Sequence, residues 1–172
     1  MAAPLDAPGA AFLALYERAL PVVYGYLLPR CGAVALAEDL TSETFLAAVD
    51  AVRRGDAPRV STPWLVGVAR HKLVDHWRRA AREERGLRTV AGAEPEAADP
   101  WEERLDVLRA HRTLQRLSPQ HRAALTLRYV DDLPVAEVAE QLDRTLHATE
   151  TLLVRARGAF RNAYRAEEDD DG

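Results

Sequence analysis

Apolar residues recur at every third or fourth position along nearly the whole chain, and no stretch alternates with the two-residue period of a strand. That pattern leaves one fold class, all-α, because a helix with an apolar stripe must bury it against other helices. Phe12, Leu15, Tyr16, Ala19, Val22, Val23, Tyr26 and Leu27 make a first stripe, which Pro21 is expected to bend or divide and Pro29 and Gly32 to end. A second helix is expected from about Ala35 to Arg53, with Leu36, Leu40, Phe45 or Thr44, Ala48 and Val52 inward. After the breakers Arg54-Gly55-Asp56-Ala57-Pro58, Thr62 reads as an N-cap and Pro63 as the first residue of a third helix. Leu65, Val68, Ala69, Leu73 and Trp77 are its inward residues.

The remainder reads the same way. Asp99 with Glu102 forms a capping box, and Ser118-Pro119 caps a helix to about Tyr129. Asp131-Asp132 turns the chain, a short helix spans Pro134 to Leu142, and Thr145 caps a last helix to about Glu167. The chain divides into a helical bundle over 9–88, a linker over 89–99, a helix-turn-helix domain over 100–166 and a tail over 167–172.

A formal net charge of −4 argues against nucleic acid until its distribution is examined. Residues 70–88 hold seven Lys/Arg against three acids, and 144–165 hold five Arg against Glu150 alone. The acids lie elsewhere: residues 89–106 hold six against one Arg, and Glu167 to Asp171 are all acidic. Two basic patches, an acidic tether and an acidic tail match a nucleic-acid binder better than the sum does. The tail is expected to be disordered, or to shield the last helix. One cysteine, Cys31, excludes an internal disulfide and points to a reducing interior. No apolar run approaches a membrane span, and the N-terminus lacks a signal-peptide pattern.

Two blocks carry the functional argument. The first is Ala37-Glu38-Asp39-Leu40 through Glu43-Thr44-Phe45, an acidic helix face with apolar neighbours. By itself such a cluster is usually a solvated face. The second is Val135-Ala136-Glu137-Val138-Ala139-Glu140-Gln141-Leu142 leading into an Arg-studded helix, which reads as a helix-turn-helix whose last helix enters a DNA groove. Between them His71, Asp75, Arg78 and Arg82, at spacings of four, three and four, share one largely cationic face. His71 and Asp75 also lie one turn apart, as metal ligands do, but no third ligand accompanies them. No Gly-rich phosphate loop or nucleophile elbow is present, so an enzyme is not expected. No metal or other cofactor is required.

In this order the blocks resemble the extracytoplasmic-function branch of the sigma-70 family of bacterial RNA polymerase sigma factors, over about Phe12 to Arg161. Trp64-Leu65 through Val68-Ala69-Arg70, with Asp75-His76-Trp77-Arg78-Arg79, is similar to its minus-ten helix. Leu117 to Arg122, Leu125 to Tyr129 and Arg155-Ala156-Arg157 are similar to its second domain. The resemblance implies a promoter-specific initiation factor, cytoplasmic and nucleoid-associated in the holoenzyme. Glu38, Asp39, Leu40, Glu43 and Phe45 would bind core polymerase at the largest-subunit coiled coil. Arg54, Arg59, His71, Asp75, Arg78, Arg79 and Arg82 would meet minus-ten DNA. Thr145, His147, Glu150, Thr151, Val154, Arg155 and Arg157 would meet the minus-thirty-five element, Arg157 with Arg161 and Arg165 at phosphates or merely in solvent. Further implied partners are the flap of the second-largest subunit, promoter DNA and an anti-sigma factor; no membrane partner is implied. His71 stands where the family usually has Asn, Asp143 and His147 where it often has Gly, and Pro134 where it often has a Ser cap. The nearest rival is a stand-alone helix-turn-helix regulator, which would leave the Glu38 to Phe45 block unexplained.

Overall fold

The computed structural model describes residues 7–56, 60–87 and 107–170. Among them every regular element is helical: α1 Ala7–Cys31, α2 Val34–Arg53, α3 Thr62–Leu87, α4 Val107–Arg116, α5 Pro119–Leu125, α6 Val135–Gln141 and α7 Leu146–Asp170. A π-helical turn, Thr126–Val130, continues α5. The Asp99–Glu102 capping box, Arg59 and the linker lie outside the described residues. The chain divides by contact inside α3, between Leu73 and Val74, into two compact units.

In the first unit α1 and α2 pack along their length. Every fourth residue of α1 from Ala19 through Val23 and Leu27 to Cys31 is buried, and α1 packs on α2, whose Ala37, Leu40, Thr44, Phe45, Ala48 and Ala51 are buried; Leu65, Ala69 and Leu73 of α3 are buried as well. Burying one such Leu or Phe is worth about 1.5–3 kcal/mol. Buried Thr41 and Thr44 satisfy their hydroxyls one turn back, on the Ala37 carbonyl at 2.6 Å and the Leu40 carbonyl at 2.7 Å.

Four local expectations change here. Helix α1 runs unbroken through Pro21 and Pro29, both on its exposed side. The residues one turn back whose carbonyls lose a donor, Glu17 and Gly25, are exposed as well, and the buried stripe is untouched. As a consequence Gly9–Cys31 is long and apolar enough, by length and composition alone, to cross a membrane, at a mean hydropathy of 1.2. That corrects the expectation of no such run; packing on α2 gives its apolar stripe a partner inside the unit. Val22 points outward rather than into the stripe. The α3 cap is Ser61, whose Oγ accepts from the Trp64 N–H at 3.4 Å; Thr62 is already helical.

The second unit centres on α7, which carries buried Thr149, Leu152, Leu153, Ala156, Phe160 and Tyr164 against α4, α5 and α6. Ser118 caps α5 as expected, accepting from the His121 N–H. Arg122 of α5 reaches back and donates to the carbonyls of Leu114, Gln115 and Leu117, satisfying the C-terminal end of α4. Arg109 of α4 stacks 3.8 Å from the Tyr164 ring centroid and donates to the Tyr164 carbonyl.

The acidic tail departs most from expectation, because α7 continues to Asp170. Glu167 is largely buried, accepting from Arg116 at 2.8 Å and from the Thr113 hydroxyl at 3.2 Å. Burial alone would raise its pKa, but these two hydrogen bonds and the charges of Arg116 and Arg112 outweigh it and hold the carboxyl below its ordinary value. A run of acids reads as solvated tail in sequence; three α4 arginines within reach make its first member structural.

Candidate functional site

The α2 surface is built by a simple division of the helix. Glu38, Asp39, Ser42 and Glu43 are exposed, while Leu40 is 2 % and Phe45 7 % exposed. The resemblance makes the last two polymerase contacts, whereas their spacing reads them as inward; they lie in the core, Phe45 edge-to-face with Tyr16 at 4.7 Å. The apolar side chain that stands out is Leu46, 63 % exposed, in register with Asp39 and Glu43 at spacings of four and three. Sequence reasoning missed it although the spacing was legible. Lys72 of α3 lies 3.5 Å from Glu43, an exposed pair worth about 0–1 kcal/mol, weak enough for a partner to displace. An acidic face with one projecting leucine suits a basic helical partner.

The loop after α2 begins with a Schellman motif. The Asp56 N–H donates to the Ala51 carbonyl and the Gly55 N–H to that of Val52, which requires the φ of +90° at Gly55. This places Arg54 at an exposed turn; Arg59 is outside the described residues. On α3, His71, Asp75, Arg79 and Arg82 are exposed and Arg78 is one-third exposed, so the expected outward face is real. Asp75 lies 3.7 Å from Arg78, and its carbonyl accepts from Arg79 at 3.4 Å. Among the described residues no group of three or more His, Cys, Asp or Glu could hold a metal ion.

The helix-turn-helix is α6, a tight turn and α7. The turn is a second Schellman motif: the Asp143 N–H donates to the Glu140 carbonyl and the Arg144 N–H to that of Ala139, with Asp143 at φ +52°. An Asp thus occupies the left-handed position that glycine fits best. Pro134 stands at the α6 cap position with no side-chain bond, and α6 still forms. Thr145 caps α7, its Oγ1 accepting from the Ala148 N–H at 3.2 Å. His147, Glu150 and Arg155 are exposed and Thr151, Val154 and Arg157 partly so, all in the N-terminal half of α7, while Leu152, Leu153 and Phe160 are core as expected. Leu146, 51 % exposed at the first position of α7, was not anticipated; an apolar residue there suits a thymine methyl. His121 on α5 is held below its ordinary pKa, first by burial and then by the charge of Arg155.

Such a face offers what groove readout needs: a carboxylate, hydroxyls, an apolar group and flanking guanidiniums on one rigid helix. Comparison with known proteins agrees region by region. Residues 15–83 match the family described as Sigma-70 region 2, and residues 108–160 match Sigma-70, region 4. The chain is 35 % identical over 151 residues to the ECF RNA polymerase sigma factor BldN of Streptomyces coelicolor, covering 85 % of this chain and 57 % of that protein. It is 35 % identical over 144 residues to the ECF RNA polymerase sigma factor SigL of Mycobacterium tuberculosis, covering 79 % and 78 %. Its fold is similar to that of the sigma factor RpoE from Bartonella quintana, solved in complex with the anti-sigma factor NepR, with a TM-score of 0.53 at 18 % identity, over 90 % of this chain and 97 % of the other. Both regions occur in order on one chain whose relatives are sigma factors, and the chain belongs to the extracytoplasmic-function sigma factors of the sigma-70 family.

Proposed function

We propose that this chain is a non-catalytic initiation factor of the bacterial cytoplasm that binds core RNA polymerase and directs it to promoters through two DNA elements. The observation that carries the reading is the coexistence, on a chain with both sigma regions, of an exposed acidic face on α2 and an exposed polar and cationic face on α7. Glu38, Asp39 and Glu43, with Leu46 as the apolar contact, would meet the basic coiled coil of the largest polymerase subunit. Arg54, Arg59 and the α3 face of His71, Asp75, Arg78, Arg79 and Arg82 would follow the opened minus-ten strand, where guanidiniums track phosphates. Thr145, His147, Glu150, Thr151, Val154, Arg155 and Arg157 would read or flank the minus-thirty-five element, with region 4 also meeting the flap of the second-largest subunit. An anti-sigma factor is a further partner on this reading, in keeping with the complex in which the Bartonella quintana protein was solved.

Run-off transcription with core polymerase on a genomic fragment library tests it. Wild type should produce discrete starts, and Asp39→Arg, which inverts charge on an exposed position and leaves the core alone, should abolish them. Binding of defined DNA without any association with core polymerase would replace this reading by that of a stand-alone regulator.

A further inference from the structure

We infer that Tyr129 is a positioning residue for promoter binding, holding the Arg157 guanidinium in place for a DNA phosphate; this rests on the proposed role of α7.

Thr126 and Leu127 of the π-turn are buried, but Tyr129 is 44 % exposed, so its ring contributes little to the core. π-Turns recur at functional sites, and this one sets a tyrosine outside the core within reach of α7. What the residue adds over a phenylalanine is its hydroxyl, and that oxygen accepts a hydrogen bond from Arg157 Nη1 at 3.0 Å. Arg157 in turn follows Glu150 and Val154 at spacings of four and three, at the flank of the readout face.

The chemistry of the partner decides what the contact is for. Were the anchor a carboxylate, it would fix the guanidinium but cancel the charge that a phosphate must meet. A phenol is neutral: it restricts the side chain and leaves the positive charge intact. The guanidinium has five N–H donors, and one bond to the phenol leaves an edge for bidentate contact with a phosphate. Arg128, by contrast, is engaged locally, donating to the Leu133 carbonyl at 3.2 Å and lying 3.8 Å from Asp132. An unrestrained arginine loses rotamer freedom when it binds; one already held has lost part of it beforehand.

The test uses full-length holoenzyme on a promoter found by the run-off assay, with affinity measured between 50 and 200 mM salt for wild type, Tyr129→Phe, Arg157→Ala and the double variant. Tyr129→Phe keeps the ring, should leave the thermal midpoint unchanged, and should weaken promoter binding about three- to tenfold. Arg157→Ala should weaken it at least as much and lower the salt slope by about one phosphate contact. In the Arg157→Ala background, Tyr129→Phe should have no further effect. No loss in Tyr129→Phe, equal losses in both backgrounds, or an unchanged salt slope in Arg157→Ala would each overturn the inference. If wild-type holoenzyme directs no specific start, the proposed function itself fails, and that outcome is separate because it precedes any variant.

Discussion

Arg122 offers the sharpest test of how region 4 is held together. Its guanidinium donates through Nε to the Leu114 carbonyl at 3.0 Å and through Nη2 to the carbonyls of Gln115 and of Leu117, the last at 3.2 Å. These are carbonyls at the end of α4, which a helix cannot satisfy from within. A hydrogen bond to a charged donor contributes about 1.5–3 kcal/mol, but Arg122 is only half-buried and water can replace part of the loss, so Arg122→Ala should cost about 2–3 kcal/mol in all rather than three times the unit value. Arg122→Lys should recover less than half, because an ammonium lacks the planar fork that spans several carbonyls. With two units in one chain a single unfolding free energy is ill-defined, so the assay is amide hydrogen exchange on peptides from α4 and α5. Their protection should fall about 30- to 150-fold in Arg122→Ala, while Arg165→Ala, at an exposed position of α7, should change it little. Full protection in Arg122→Lys would refute the argument from geometry, and a loss below about 0.5 kcal/mol in Arg122→Ala would refute the capping role.

Asp143→Gly should stabilise the second unit by about 0.5–1 kcal/mol, since it removes the left-handed penalty at φ +52° but adds freedom to the unfolded chain. Thermal unfolding should show a rise of a few degrees, and a β-branched Asp143→Val should lower the midpoint instead. Cys31 is 5 % exposed, and burial, only partly offset by Arg30, raises its thiol from near 9 to about 11. Between these values the unfolded chain has lost the proton that the folded chain keeps, so stability should fall as pH rises from 9 to 11, by at most about 1.4 kcal/mol per pH unit. Urea midpoints for Cys31→Ala should lack that component of the slope.

The sequence by itself determined the helical class, the order of the blocks and the outward faces of α3 and α7, because each is a matter of spacing along one helix. Cap positions were nearly as legible: Ser118 and Thr145 act as read, and Ser61 displaces Thr62 by one residue. Tertiary structure decided what spacing along one element cannot. Spacing reads Leu40 and Phe45 as inward while the resemblance makes them polymerase contacts; burial, with α2 packed on α1, decides for the first, and Leu46 takes the exposed position. Pro21 reads as a bend or break, yet it and Glu17, whose carbonyl it leaves without a donor, are both exposed residues, away from the buried stripe. Glu167 reads as the start of a charged tail, yet residues more than fifty positions earlier, Thr113 and Arg116, hold it. Likewise Tyr129 and Arg157 meet only because α5 and its π-turn lie beside α7, a contact 28 residues long in sequence and 3.0 Å in space. Periodicity states which residues share a face; which face is covered, and by what, depends on neighbours that the chain brings together only on folding.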